Sequence, residues 1–406
     1  MIVRRSLAQH LLSTLITALS VALGTGLVMS VFAINAQTRK AFTGGDIGFD
    51  AVLGARGSQL QIILNSIFHL ETSPGNITWE QYKEIRDDRR VKRAVPIAVG
   101  DNYHGFRIVG TTEKVFDNRY KVREGGRLFD ASRREAVVGS FVAAKTGLAL
   151  NSKFNPYHGL IYDKSMRHKE EYVVVGVLEP TNSPADRVIW IPIEGIFRME
   201  GHVLRGTGEE FIPEAGQEIP DEHKEASAVL LEFRSKQVGI TLDHTINRQG
   251  KVATLAWPIG KVMGDLFDKM GWIHRILTVV AYLVVVVAAG SILASIYNTI
   301  NERRREIAIL RALGAKKRTV FTVIVLEATA IAAIGTIFGY VVYAIILGSA
   351  SLVVRAQTGV VLDVLQPHMS LYLAPLGMIA MGAAAGLLPA FRAYKTDVAE
   401  HIIPTS

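Results

Sequence analysis

Hydrophobic and polar positions divide this chain into two regimes. Stretches 11–34, 276–300 and 364–391 contain no Asp, Glu, Lys or Arg, and 319–354 contains only Glu327. Each is long enough for the ~20 mainly apolar residues that a bilayer-spanning helix requires. Between 36 and 270 charged residues recur throughout, and no uncharged run reaches that length. The pattern predicts an α-helical membrane protein with four transmembrane helices and a large water-facing domain between the first and second.

Within 36–270 the periods mix, which predicts an α+β domain. Thr78-Trp79-Glu80-Gln81 has the capping-box spacing that opens a short helix, ending near Asp87. Runs rich in Val and Ile at 95–99, 106–109, 135–138, 172–178, 188–193 and 228–233 predict strands, and helical stretches are expected near 139–147, 193–199 and 236–248. In 58–70, Leu60, Ile63, Leu64, Ile67 and Phe68 recur at helical spacing. This is a helix packed on the domain core or, alternatively, one lying at the membrane surface or lining a groove. The polar segment 201–224 is expected to be a long loop. Ahead of the second span, Ile259, Val262, Leu266, Met270, Ile273 and Leu277 keep a spacing of three or four, predicting one unbroken rod from 259 to about 313.

Charge sets the expected orientation. Segment 301–318 carries Arg303, Arg304, Arg305, Arg311, Lys316, Lys317 and Arg318 against Glu302 and Glu306, whereas the loop near 350–370 has Arg355 and Asp363. The positive-inside rule puts the basic segment in the cytoplasm. Arg4 and Arg5, and Arg392 and Lys395, then also fall inside, and 37–270 is extracytoplasmic. The net charge of +8 is explained by these clusters, so no nucleic-acid partner is expected. The apolar run after Arg5 exceeds a signal-peptide core and contains Gly24 and Gly26, which favours an uncleaved anchor. Cysteine is absent, which excludes disulfides and thiolate metal sites.

Catalytic chemistry is sparse. Residues 139–146 resemble a phosphate loop, but Ala144 replaces the second glycine that the backbone wrap needs, so a short helix is expected instead. Glu327 is the only carboxylate within a span, which argues against ion-coupled transport; it is expected to snorkel or to pair with the basic segment. Gly335 with Gly339 and Gly382 with Gly386 form GxxxG motifs, which let helices approach closely in a bundle or a dimer face. His158 and His168, with Glu170 or Glu171, are the candidate metal ligands, imidazole and carboxylate together suiting zinc. The competing reading is a solvated loop, since Lys164, Arg167 and Lys169 surround them.

The most specific stretch is Glu302-Arg303, Arg305-Glu306-Ile307 and Leu310-Arg311-Ala312-Leu313-Gly314-Ala315, lying between two spans. It resembles the segment of FtsX-like ABC permeases that docks on the ATPase subunit. Leu326-Glu327-Ala328 and the end from Pro389 to Glu400 are also similar, with Val398 where relatives often carry proline. The Glu135–Gly139 strand and its following helix resemble the periplasmic core domain of MacB-type exporters and LolC/LolE-type lipoprotein-releasing permeases.

The resemblance implies three parts: 1–36 as N-terminus and first span, 37–270 as core domain, and 271–406 as permease domain with a coupling helix at about 301–314. It implies that Glu302, Arg303, Arg304, Arg305, Glu306 and Arg311 carry coupling, with Gly314 ending that helix. No ATPase domain precedes the first span, so the chain is expected to hold no cofactor and to be no enzyme itself. ATP and Mg would be bound by a separate cytoplasmic ABC ATPase. The implied function is mechanotransmission for lipoprotein or lipophilic-substrate movement, in a dimer with a second permease copy or a homologous permease. Membrane lipid and a periplasmic or lipoprotein partner complete the expected contacts. The alternative class is a membrane-anchored receptor or scaffold, metal-linked through the histidines.

Overall fold

The computed structural model describes residues 11–44, 47–117, 119–199 and 217–395. Arg4 and Arg5, the 201–216 part of the expected loop, and Asp397, Val398 and Glu400 of the tail lie outside the described residues. In chain order the main elements begin with α1 (Leu11–Thr43), β1 (Ala51–Ala55), α2 (Gln59–Ser66), β2 (Ile77–Thr78) and α3 (Trp79–Asp87). Next come β3 (Val91–Tyr103), β4 (Phe106–Thr111), β5 (Glu135–Val138), α4 (Ser140–Thr146), β6 (Lys153–Phe154), β7 (Tyr157–His158), β8 (Tyr172–Val177), β9 (Val188–Pro192) and α5 (Ile193–Phe197). The series closes with β10 (Glu225–Ala226), β11 (Ala228–Phe233), α6 (Lys236–Asp243), β12 (Ala253–Ala256), α7 (Ile259–Lys269), α8 (Gly271–Glu302), α9 (Arg304–Ala312), α10 (Lys317–Thr358) and α11 (Ser370–Lys395).

These elements form two compact units. One comprises Met1–Thr38, Met270–Leu352 and Leu362–Ser406; the other comprises Arg39–Lys269 and Val353–Val361. Four helices are long and apolar enough to cross a membrane: α1, α8, α10 and α11.

The second unit is α+β. Its main sheet runs β12-β1-β11-β3-β4-β9-β5-β8-β6, with β7 added to β3. The pairs β4–β9 and β5–β8 are parallel, and the remaining pairs are antiparallel. The longest strand, β3, pairs with β11 over its first half and with β7 near its end, while β4 lines its other edge. Its hairpin to β4 turns at His104 and Gly105, both with positive φ (50° and 82°). That backbone is the two-residue turn whose twist suits paired strands. Around Phe116, Phe129 and Trp190 the sheet buries a continuous apolar core, and Ile62, Ile63 and Phe68 of the α2 region belong to it. The amphipathic face at 58–70 is therefore a core face. Capping of α3 follows the sequence pattern: Gln81 N–H donates to Thr78 Oγ1, and Thr78 N–H donates to Gln81 Oε1 at 3.0 Å.

The first unit is a helical bundle packed through small residues. An added Cβ at Gly335 would fall 2.6 Å from the Ala18 carbonyl oxygen, and one at Gly26 would fall 2.6 Å from Val342. Such contacts bring the α1 and α10 backbones close together. Gly382 and Gly386 of α11 meet Ala332 and Ala328 of α10 in the same way. Ser13 and Ser295 hydroxyls share a hydrogen bond of 3.0 Å between α1 and α8. The Gln37 amide clamps the backbone of Asp363 from both sides, accepting from its N–H and donating to its carbonyl.

The expected rod from 259 to 313 is not one helix. It breaks at Met270 (φ −83°, ψ −2°) and again at Arg303 (φ −101°, ψ 14°), giving α7, α8 and α9. Each joint takes a single residue before the next helix starts, so the apolar spacing carries on across it. Gly271, a poor helix residue, follows the first joint. The long helix α10 extends to Thr358, which shortens the loop expected at 350–370.

Candidate coupling segment and histidine pair

The basic segment folds as α9, nine residues held between two membrane-length helices. Arg303 precedes it, and its Nε lies 3.0 Å from Glu306 Oε2. Glu306 stands in the first turn and Arg311 in the last, so both charges complement the helix dipole. Ala308 is buried, whereas Arg304, Arg305 and Glu306 are exposed. Arg305, Ile309 and Leu313 follow one another at a spacing of four; Ile309 is 48% exposed and Leu313 80%. A basic stripe with uncovered aliphatic side chains is a surface that a soluble protein can bind. After the helix, Gly314 takes φ +101°, and its N–H donates to the Arg311 carbonyl at 3.1 Å. A residue in that conformation stops the helix cheaply only if it lacks a Cβ. Glu302 closes α8 on the exposed surface.

Glu327 does not snorkel. It is 5% exposed, and with Arg303, Thr299, Ile307 and Thr319 it lines a cavity of about 100 Å³ beneath α9. Of the two expectations for it, snorkelling or pairing with the basic segment, its burial beside Arg303 is at odds with the first. Ile307 of α9 and Thr319, Val320 and Val323 of α10 line that cavity with it.

In the α+β unit the structure brings His158 and His168 together, with ring centroids 5.5 Å apart. Their carboxylate neighbour is Asp101, at 3.2 Å from His168 Nε2 and 3.6 Å from His158 Nδ1. Neither Glu170 nor Glu171 belongs to this cluster. Glu171 instead binds Lys153 at 2.7 Å across the β6–β8 edge, and the Glu170 carbonyl accepts from the Asn155 amide. Asp101 sits at an irregularity in the β3–β4 pairing between Val99 and Asp101, of the kind that re-aims side chains. Its sequence signal is the polar pair Asp101-Asn102 between two apolar strand runs. The Asp101 carboxylate, accepting a hydrogen bond from it, raises the His158 imidazole above its ordinary pKa, against partial desolvation.

Four membrane-length helices, a large α+β domain between the first two and a short basic helix between the second and third make up the described framework of the chain. The chain matches the MacB-like periplasmic core domain over residues 14–219 and the FtsX-like permease C-terminal domain over residues 278–398. It belongs to the FtsX/MacB-like family of ABC transporter permeases. Among solved structures it is similar to the extracellular domain of the noncanonic ABC-type transporter YknZ from Gram-positive bacteria, at 15% identity and TM-score 0.30, covering 50% of this chain and 98% of that one. It is also similar to the periplasmic region of MacB from Actinobacillus actinomycetemcomitans, at 10% identity and TM-score 0.35, covering 55% and 96%. No curated protein matches the chain.

Proposed function

We propose that this chain turns ATP hydrolysis by a separate cytoplasmic ATPase subunit into movement of its own extracytoplasmic domain. The observation that carries the reading is α9, whose Arg304, Arg305 and Ile309 are exposed on a short helix between two spans. ATP and Mg bind the partner. Nucleotide-driven closure of that partner displaces α9, and the displacement passes along α8 and the other segments that join the two units. The basic cluster 303–318 orients α9, and with it both termini, to the cytoplasm, leaving 37–270 outside. A pair of permease subunits, two copies or a homologous pair, presents two such helices.

The substrate class we favour is a lipoprotein or other lipophilic cargo taken from the outer leaflet or the periplasm. Several hydroxyls inside the bundle are directed to their own helices: Thr17, Thr25, Ser30 and Thr299 each donate to the carbonyl four residues earlier. Among the described residues, Glu327 is the one buried charged side chain of the bundle. The interior of the described bundle is thus mainly apolar, which suits work done on cargo outside it. Detergent co-purification tests the assignment. The chain is expected to bring down an ATPase carrying a phosphate loop; a chain that runs alone beside abundant ATPase contradicts it and favours the receptor or scaffold alternative.

A further inference from the structure

Three side chains from distant points of the sequence converge on one spot of the α+β unit. Asp101, in β3, is wholly buried; His158 is its partner across the β3–β7 pairing; His168 arrives after the 159–167 loop and is 9% exposed. Asp101 Oδ1 lies 3.2 Å from His168 Nε2 and 3.6 Å from His158 Nδ1, and the three ligand atoms all lie within 4.8 Å of one another. We propose that Asp101, His158 and His168 form a binding site for a single divalent transition-metal ion of the zinc class.

Geometry carries the assignment. Bonds of ~2.0–2.1 Å in a tetrahedron place neighbouring ligand atoms roughly 3.3 Å apart. The two measured separations to Asp101 bracket that value. Only His158 has to adjust for the third, and its side chain is 41% exposed and has room to turn. Two imidazoles with one carboxylate suit zinc and its first-row neighbours, whereas calcium and magnesium require oxygen ligands throughout.

The frame is built before any ion arrives. Asn102, next to Asp101, donates its amide to the carbonyls of Gly159 (2.9 Å), Tyr157 and Ile161 (both 3.3 Å), which ties down the loop that leaves His158. Gly159 N–H donates to the Gly100 carbonyl at 2.8 Å. At the other end, His168 N–H donates to the Pro156 carbonyl at 2.9 Å, and the Asn155 amide holds the carbonyls of Lys169 and Glu170. Three protein ligands leave a fourth position, and the exposed side of His158 directs it to solvent. An open site of this kind exchanges its ion and accepts a further ligand from water or a cargo group, unlike a closed structural site. The nearby Lys164 and Lys169 are exposed, which moderates affinity without entering the cluster.

The test uses the full-length chain in detergent, stripped by a chelator and equilibrated with buffered zinc, with retained metal counted per chain after gel filtration. Wild type, Glu170→Gln and Glu171→Gln are expected to keep one ion per chain; Asp101→Asn and His158→Ala are expected to lose it. Cobalt in place of zinc should give the visible bands of a tetrahedral site in wild type and none in His158→Ala. His158 is half exposed, so its variant decides the matter even if Asp101→Asn fails to fold. Absence of retained zinc in wild type, equal retention in His158→Ala, or loss in Glu171→Gln each overturns the assignment. None of these readouts involves ATP, so their outcome is separate from that of the permease reading.

Discussion

Gly339 and Thr25 meet so closely that a Cβ added at position 339 would lie 2.8 Å from the Cβ of Thr25. The adjoining glycine, Gly335, is equally tight against Val21. In lipid, where apolar burial between helices gains little, close backbone approach is a main source of association. Gly335→Leu and Gly339→Leu should therefore destabilise the detergent-solubilised bundle by about 1–3 kcal/mol, the usual range for overpacking. Gly348→Leu, on the same helix with open space at its Cβ, is the control. Thermal melts in which all three variants match wild type would contradict the close packing.

Burial pushes the His69 imidazole down to about 3, with Arg107 adding to the effect. Its ring stands edge-on to Trp190 with centroids 5.7 Å apart. The folded chain thus holds His69 neutral, while the unfolded chain takes up a proton near its ordinary value of 6.5. This contribution to stability is complete above that value and is lost as pH falls from about 6.5 towards 3, at up to ~1.4 kcal/mol per pH unit. His69→Asn removes the titration and tolerates the positive φ of 55° at this position. Thermal stability of the variant should fall less steeply between pH 6.5 and 4.5 than that of wild type. Identical slopes would remove His69 from the acid response.

Gly314 ends α9 in a conformation that other residues resist. Gly314→Val should strain the turn by about 1–2 kcal/mol and misplace the helix that precedes it. The expected result is weakened stimulation of the partner ATPase with normal membrane insertion. Gly314→Asn, more tolerant of positive φ, should lose less. Equal stimulation by wild type and the valine variant would show that the helix end is not needed for coupling.

Much of this architecture is legible in the sequence because bilayer thickness imposes long uncharged runs, and soluble strands are punctuated by Gly, Pro and charge. The capping pair Thr78–Gln81 and the core face of Ile63 and Phe68 are local, and local patterns show directly. Three features were not legible. The joints at Met270 and Arg303 each occupy one residue and leave the apolar spacing unbroken. Strands β1 and β12, Ala-rich and short, lack the β-branched signal that marks their neighbours. Asp101 reaches the histidines through strand pairing from 57 positions before His158, a distance that no local spacing encodes. The sequence therefore offered Glu170 and Glu171, which are near in the chain but outside the cluster.

The central claim is that α9 couples this chain to an ATPase, and charge reversal on that helix tests it most directly. The permease with its co-purified ATPase is reconstituted in lipid, and ATP hydrolysis is measured for wild type, Arg305→Glu and Arg311→Glu. Arg305 is exposed and Arg311 half-buried in the last turn. Both reversals are predicted to abolish stimulated hydrolysis while leaving insertion and thermal stability unchanged. Wild-type stimulation in both variants would contradict the account.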